Sequence, residues 1–204
     1  MAYDATRRRA RAEARREAIL DAAEGAFFAH GYVATTVAGI ARSAGVSVET
    51  VYKAYTGKAG LVMAIRNRAL AGDRAEPAEV RSDAMQSRET DPRAIIRAWA
   101  VLSGEVAPRV APILLLVRAA AAVDCEAATI HAEMEASRLS RMARNARRLH
   151  ATGRLRAGLG WAAVRDVLWT FTSPELYDLL VVHRRWSRAR YVRFVADGML
   201  GLLL

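Results

Sequence analysis

Residues 36–55, TVAGIARSAGVSVETVYKAY, hold the spacing that most restricts what this chain can become. Val37, Ile40, Ala41 and Ala44 recur at i, i+3, i+4 and i+7, the apolar stripe of a short helix. Thr36 stands at the N-cap position before that stripe, and Gly45 follows its last residue. Ser47 is a second N-cap, opening a helix through about Ala54, with Glu49 in the first turn where the positive end of the helix dipole favours a carboxylate. Gly45 supplies the left-handed turn that lets the second helix leave at a steep angle. Burial of Ile40, Ala41, Val46 and Val51 sets that angle and leaves Ser47, Val48, Glu49, Thr50 and Lys53 on the exposed face or at its leading end. This is the helix-turn-helix pattern, whose second helix fits a DNA major groove. An ordinary αα-hairpin with a solvated outer face has the same spacing, so spacing alone leaves both open.

Strand signals are scarce along the rest of the chain, and the fold class expected is all-α. The first element runs from an arginine-rich arm to about His30, with Ile19, Leu20, Ala23 and Phe27 on one stripe and Gly31 at the C′ position. A fourth helix follows TGK at 56–58 and reaches about Ala71. Residues 72–91, GDRAEPAEVRSDAMQSRETD, are polar and aperiodic and predict a connecting loop. Helices are expected near 92–107, 109–122, 125–151, 161–172, 174–183 and 187–203, divided at Pro108, Asp124, Gly153, Gly158 and Gly160, Ser173-Pro174 and Ser187. The expected organisation is a three-helix helix-turn-helix domain with a basic arm over 1–71, a connecting loop over 72–91, and a helical-bundle regulatory and dimerisation domain over 92–204.

Charge narrows the partners. The chain has 204 residues and a formal net charge of +10, and all but two of its 31 basic residues are arginine. Residues 1–70 carry 11 basic and 6 acidic side chains, and residues 71–204 carry 20 and 15, so charge per residue is about twice as high in the first segment. Such an excess favours polyanions. A single cysteine, Cys125, excludes an internal disulfide and suits a reducing cytoplasm. The amino-terminal stretch has no apolar segment of signal-peptide type. The apolar runs VAPILLLV and AAAAV are broken by Arg109 and Arg118, below the ~18 residues of a membrane span. No membrane partner is expected, and the protein is expected in the cytoplasm.

From Ile19 to Leu61 the chain resembles the amino-terminal domain of the TetR family of transcriptional repressors. The resemblance rests on ILDAAEGAFFAHGY, TTVAGIARSAGVS and VYKAYTGKAGL, in register over about fifty residues. It implies that Thr36 and Ser47 cap their helices beside DNA phosphates, that Tyr52 gives its phenol OH to a phosphate, and that Lys58 neutralises another at a helix start. Base edges then fall to Val48, Glu49, Thr50 and Lys53. A valine methyl suits a thymine methyl, Lys53 suits guanine O6/N7, and Glu49 accepts from cytosine N4. Two positions depart from the family pattern: Ala54 stands where many relatives carry a backbone-contacting histidine, and Gly57 replaces a Ser or Asn cap. The arm RRRARAEARR either tracks phosphates or forms a solvated helix extension.

Segments beyond residue 92 are similar to a regulatory domain found in part of that family, which implies a homodimer reading a palindromic operator in double-stranded DNA and a small-molecule effector of unknown identity. Dimer-interface candidates lie along the last helix: Tyr191, Phe194, Val195, Gly198 and Leu202. Candidates for an effector pocket are Trp99, Leu102, Leu116, Met134, Met142 and Trp169, with Arg118 interrupting an apolar helix where it can hold an acidic effector, although a salt bridge or a snorkelling surface position is the commoner role of such an arginine. No cofactor or metal is expected. Catalysis is not expected either: Cys125 and His131 are six apart on a helix, and no nucleophile elbow, P-loop or ligand cluster is present. The alternative to an effector-released repressor is a non-specific nucleoid-type DNA-binding protein without an effector.

Overall fold

The computed structural model describes residues 2–72 and 76–204, with side chains from Thr6 onward. Among the described residues every regular element is helical: α1 (Ala2–Ala34), α2 (Val37–Ser43), α3 (Val48–Tyr55), α4 (Lys58–Ala71), α5 (Ala78–Arg88), α6 (Pro92–Ala120), α7 (Cys125–His150), α8 (Trp161–Phe171), α9 (Pro174–Tyr177) running on into a π-helical turn (Asp178–His183), and α10 (Arg188–Leu203). The all-α class expected from the sequence is the observed one. The chain divides into two compact units, one of residues 1–68 with 116–130, the other of residues 69–115 with 131–204.

In the first unit α1 is interrupted at Gly31, whose φ of 78° and ψ of 166° take the backbone out of the helix where a C′ glycine was expected. Thr35, also buried, ties the break down by donating to the Gly31 and Ala26 carbonyls at 2.7 and 3.1 Å. Ile19, Leu20, Ala23 and Phe27 are buried together with Ile40, Ala41, Val51, Leu61 and Ile65. Phe27 stacks on Tyr32 with ring centroids 5.7 Å apart. Glu17, Asp21 and Glu24, at i, i+4 and i+7 on α1, all accept from the Arg68 guanidinium of α4, at 2.9, 2.7 and 2.5 Å. One planar fork with five N–H donors can serve three carboxylates at once, which ties the fourth helix to the first.

The second unit departs from the sequence reading in three places. Residues 78–88, expected to be part of a loop, are α5. Its inward side sets only Ala78 and Met85 among polar groups, too little for apolar periodicity to reveal it: Ser82 is buried, Arg81 pairs with Glu105, and Asp83 accepts from Arg141 and Arg148. The division at Pro108 is also wrong, because α6 is continuous through Pro108 and Pro112. Proline lacks a donor and crowds the preceding turn, but packing along the whole length of α6 overrides a local cost of roughly 3 kcal/mol. As one helix, α6 is long and apolar enough to cross a membrane, which its two separate apolar runs did not suggest. Core helices pass the same test, and Ile95, Ile96, Trp99 and Ala100 of α6 are buried in a cluster with Leu149, Val164, Leu168, Val195 and Met199. Third, the segment 174–183 changes pitch after Tyr177, where the π-turn leaves Leu179 and Val182 exposed.

Candidate nucleic-acid interface

The turn between α2 and α3 is built from backbone hydrogen bonds that the sequence spacing requires. Thr36 Oγ1 accepts from the Gly39 N–H at 3.0 Å, capping α2. At the other end the Val46 N–H reaches the Ala41 carbonyl at 3.0 Å and the Gly45 N–H reaches Arg42 at 3.2 Å. Those two bonds are a Schellman motif, and Gly45 at φ 65° is the left-handed residue it needs. Ser47 then caps α3, its Oγ accepting from the Thr50 N–H at 3.2 Å and lying 2.8 Å from the Thr50 hydroxyl. Each helix therefore starts with a side-chain cap, and the angle between them rests on a closed turn.

Burial assigns the faces of α3. Val51 and Tyr55 point inward. The Tyr55 hydroxyl donates to the Arg16 carbonyl at 3.0 Å, and the Arg16 guanidinium lies 4.9 Å from the ring centroid. Burial pushes the Tyr55 phenol above its ordinary value, with Arg16 opposing part of the rise. Val48, Glu49, Tyr52 and Lys53 form the outer face, with Val48 41% and Tyr52 52% exposed. Large apolar and aromatic side chains left in water on a helix that also presents Lys and Glu suit a groove lined by methyl groups, base edges and phosphates.

Tyr52 is held by its surroundings. The carbonyl of Tyr52 accepts from Thr56 at 2.8 Å, and Gly57 turns at φ 109° beneath the ring. A Cβ on Gly57 would lie 3.2 Å from Tyr52 Cε1, so the departure from a Ser or Asn cap at this position also gives the ring its seat.

Lys58 has a more specific environment than a free phosphate ligand. Its Nζ donates to the Tyr32 carbonyl at 3.1 Å and lies 4.2 Å from the centroid of the Tyr32 ring. The Tyr32 hydroxyl donates in turn to Glu126 Oε2 at 2.5 Å, in the first turn of α7. Burial first, then the hydrogen bond and charge of Glu126, push the Tyr32 phenol far above its ordinary range. Sequence reasoning missed this link because residues 32 and 126 are far apart in the chain and neither belongs to the helix-turn-helix motif.

The remaining candidates separate. Trp99, Leu102, Met134, Met142 and Trp169 lie in the second unit, whereas Leu116 and Arg118 belong to the first, with Arg118 exposed. Trp99 and Met134 are buried, and Trp99 Nε1 donates to Ser82 Oγ at 3.2 Å. Gln86 Nε2 donates to the same Ser82 Oγ at 3.2 Å and to Asn145 Oδ1 at 3.1 Å. This polar group inside the second unit was hidden by the reading of α5 as loop. On α10, Tyr191 and Val195 are fully buried within their own chain, because they share a face with Met199 and Leu203. Gly198 meets Phe171 in the same way: a Cβ there would lie 2.2 Å from the Phe171 ring. Phe194 and Leu202 remain exposed.

A capped helix-turn-helix with an outward recognition face is the geometry of a helix-turn-helix DNA-binding domain. Residues 19–65 match the family of bacterial regulatory proteins designated tetR. No curated protein matches the chain. Solved structures with the same fold include NalD of Pseudomonas aeruginosa, the secondary repressor of the MexAB-OprM multidrug efflux pump, at 20% identity, 95% coverage of this chain, 98% of that one and a TM-score of 0.75. The fatty acid degradation regulator FadR of Bacillus halodurans is 18% identical, with 92% and 95% coverage and a TM-score of 0.69. SmeT in complex with triclosan is 22% identical, with 94% and 92% coverage and a TM-score of 0.68.

Proposed function

We propose that the protein is a cytoplasmic transcriptional repressor that binds a palindromic operator as a homodimer and is released by a small-molecule effector. The observation that carries the reading is the closed α2–turn–α3 geometry, which presents Val48, Glu49, Tyr52 and Lys53 together on one outer face. In this reading Lys53 and Glu49 read base edges with Val48 and Thr50 beside them. Thr36, Ser47 and Tyr52 hold the phosphate backbone, and the Arg7–Arg16 stretch of α1 adds sequence-independent attraction. Lys58 contributes by fixing the start of α4, through Tyr32, as well as by its charge.

Residues 1–71 read DNA, and residues 92–204 dimerise and bind the effector. Two copies of a short recognition helix are needed for an affinity and a specificity that one does not supply. The exposed Phe194 and Leu202 of α10 support a dimer surface on that helix. The buried Trp99 and Met134, with Leu102, Met142 and Trp169, support an apolar effector site, and Ser82, Gln86 and Asn145 give it hydrogen-bonding capacity. The triclosan complex of SmeT is a precedent for an aromatic small molecule in this fold.

The test is binding of the purified protein to DNA upstream of its own gene and its neighbours, over a salt series, for wild type, Lys53→Ala and Tyr52→Phe. A protected palindrome is expected, with Lys53→Ala relaxing sequence preference and Tyr52→Phe weakening all sites alike. Equal binding to every fragment, unaffected by either substitution, would replace this reading with a non-specific nucleoid-type binder.

A further inference from the structure

Residues 136–165 contain eight arginines and no acidic residue, a run of single-sign charge far from the recognition helix in the chain. Folding divides six of these arginines into two sets, while Arg156 donates to the Gly201 carbonyl and Arg165 pairs with Asp166. Arg138 is held by Glu135 and the Trp169 carbonyl. Arg141 is buried, donating to Asp83 at 2.9 Å and to the Glu79 carbonyl at 2.9 Å. These two hold the unit together. Arg144, Arg147, Arg148 and Arg154 are exposed instead.

The carboxylates that face the exposed set are few. Asp83 accepts from Arg148 at 3.1 Å while also serving Arg141, and Asp91 meets Arg154 at 3.5 Å. Arg147 stacks 4.2 Å from the centroid of the Trp161 ring, which orients its guanidinium without neutralising it. Ser140, Arg144 and Arg148 fall at i, i+4 and i+8 on the outer face of α7, so successive donors rise by about 6 Å. The helix dipole favours cations in the last turn of α7 and so accounts for Arg147 and Arg148, but Arg144 lies before that turn and Arg154 beyond the helix.

We propose that the carboxy-terminal half of α7, with Arg154 after it, is a second, sequence-independent contact for duplex DNA, made to the phosphodiester backbone. The proposal rests on the reading of this chain as a DNA-binding protein, which makes a polyphosphate the available partner. Arginine forks and serine hydroxyls spaced along one helix face are the donors that phosphate contacts use. An anionic membrane suits the face less well. A helix lying on a bilayer inserts an apolar side, whereas none of the large apolar residues of 136–165 is exposed, and Ala146 and Leu149 of α7 are buried in the core.

The test uses the full-length protein and two labelled duplexes of equal length, one carrying the preferred site and one of random sequence, with anisotropy followed over a salt series. Wild type is compared with the triple variant Arg144→Gln, Arg147→Gln, Arg148→Gln and with lysine at the same three positions. The glutamine triple is expected to reduce the slope of log K against log salt by about 2 to 3, near 0.9 per lost phosphate contact. Both duplexes should be affected alike, and the lysine triple should recover most of the slope. Should the glutamine triple not fold, Arg144→Gln alone should reduce the slope by about 0.9.

An unchanged slope overturns the proposal. So does an intact DNA slope accompanied by lost binding to phosphatidylserine vesicles or to single-stranded RNA. If Lys53→Ala still relaxes site preference while the arginine variants change nothing, this surface alone is wrong. If wild type binds neither duplex, the functional reading falls with it.

Discussion

Gly60 packs beneath the end of the recognition helix at a distance that no side chain tolerates: a Cβ there would lie 1.6 Å from the Tyr55 carbonyl oxygen. Gly45 has open space around it, and its need for glycine is one of backbone angle alone, φ 65°. The two positions predict different costs. Gly45→Ala should destabilise the protein by about 1 kcal/mol, the penalty of placing a Cβ in the left-handed region. Gly60→Ala should cost clearly more, at or beyond the ~1–3 kcal/mol typical of overpacking, because the opposing atom is backbone and cannot swing away. Urea denaturation of the two variants checks this, and equal midpoints would contradict the close approach. Such a contrast is invisible in the sequence, where nothing near Gly60 in the first turn of α4 marks the approach of the Tyr55 carbonyl.

At the scale of the element, α5 owes its place to polar contacts. Burial raises the cost of ionising Asp83, but the hydrogen bond from Arg141 and the charges of Arg141, Arg148 and Arg144 outweigh it and hold the carboxyl below its ordinary 3.8. A carboxyl depressed on folding stabilises fully above its unfolded value, and that stability is lost as pH falls below about 3.8 toward the folded value. Asp83→Asn should remove this acid dependence. It should also speed hydrogen exchange in residues 78–88 at neutral pH, since the neighbouring Arg141 keeps only the Glu79 carbonyl. Exchange unchanged in α5 would show that Ala78 and Met85 hold the helix without the ion pair. A helix anchored in this way has little apolar stripe to read, whereas α2 and α3 were legible because cap, stripe and stop coincide in each.

At the scale of the whole molecule, α7 runs from the first unit into the second, and its first turn carries Glu126 against Tyr32. The raised Tyr32 phenol favours the folded state below pH 10, the ordinary tyrosine value, and this stability is lost as pH rises above it toward the folded value. Tyr32→Phe should lower stability by about 1.5–3 kcal/mol, as for a hydrogen bond to a charged acceptor, and should flatten the alkaline limb of a stability-against-pH curve. A variant with an unaltered alkaline limb would remove Tyr32 from that role. The proposed homodimer is tested at the same scale. Phe194→Glu should shift sedimentation from dimer toward monomer without changing helix content, and an unchanged dimer would move the interface off this part of α10.

By itself the sequence determined the all-helical class, the caps Thr36 and Ser47, the Gly45 turn and the outward placement of Val48, Glu49 and Lys53 on α3. Those features depend on neighbours within a few positions and on hydrogen bonds that the local backbone must satisfy. Tertiary structure decided which of two faces each long helix buries, and so turned Tyr191 and Val195 inward while leaving Phe194 and Leu202 outside. It also decided that α6 continues through two prolines, that a polar segment becomes α5, and that Lys58 meets Tyr32 and Tyr32 meets Glu126. Each of these balances a local preference against contacts from residues dozens of positions away, and only the folded chain brings those contacts together.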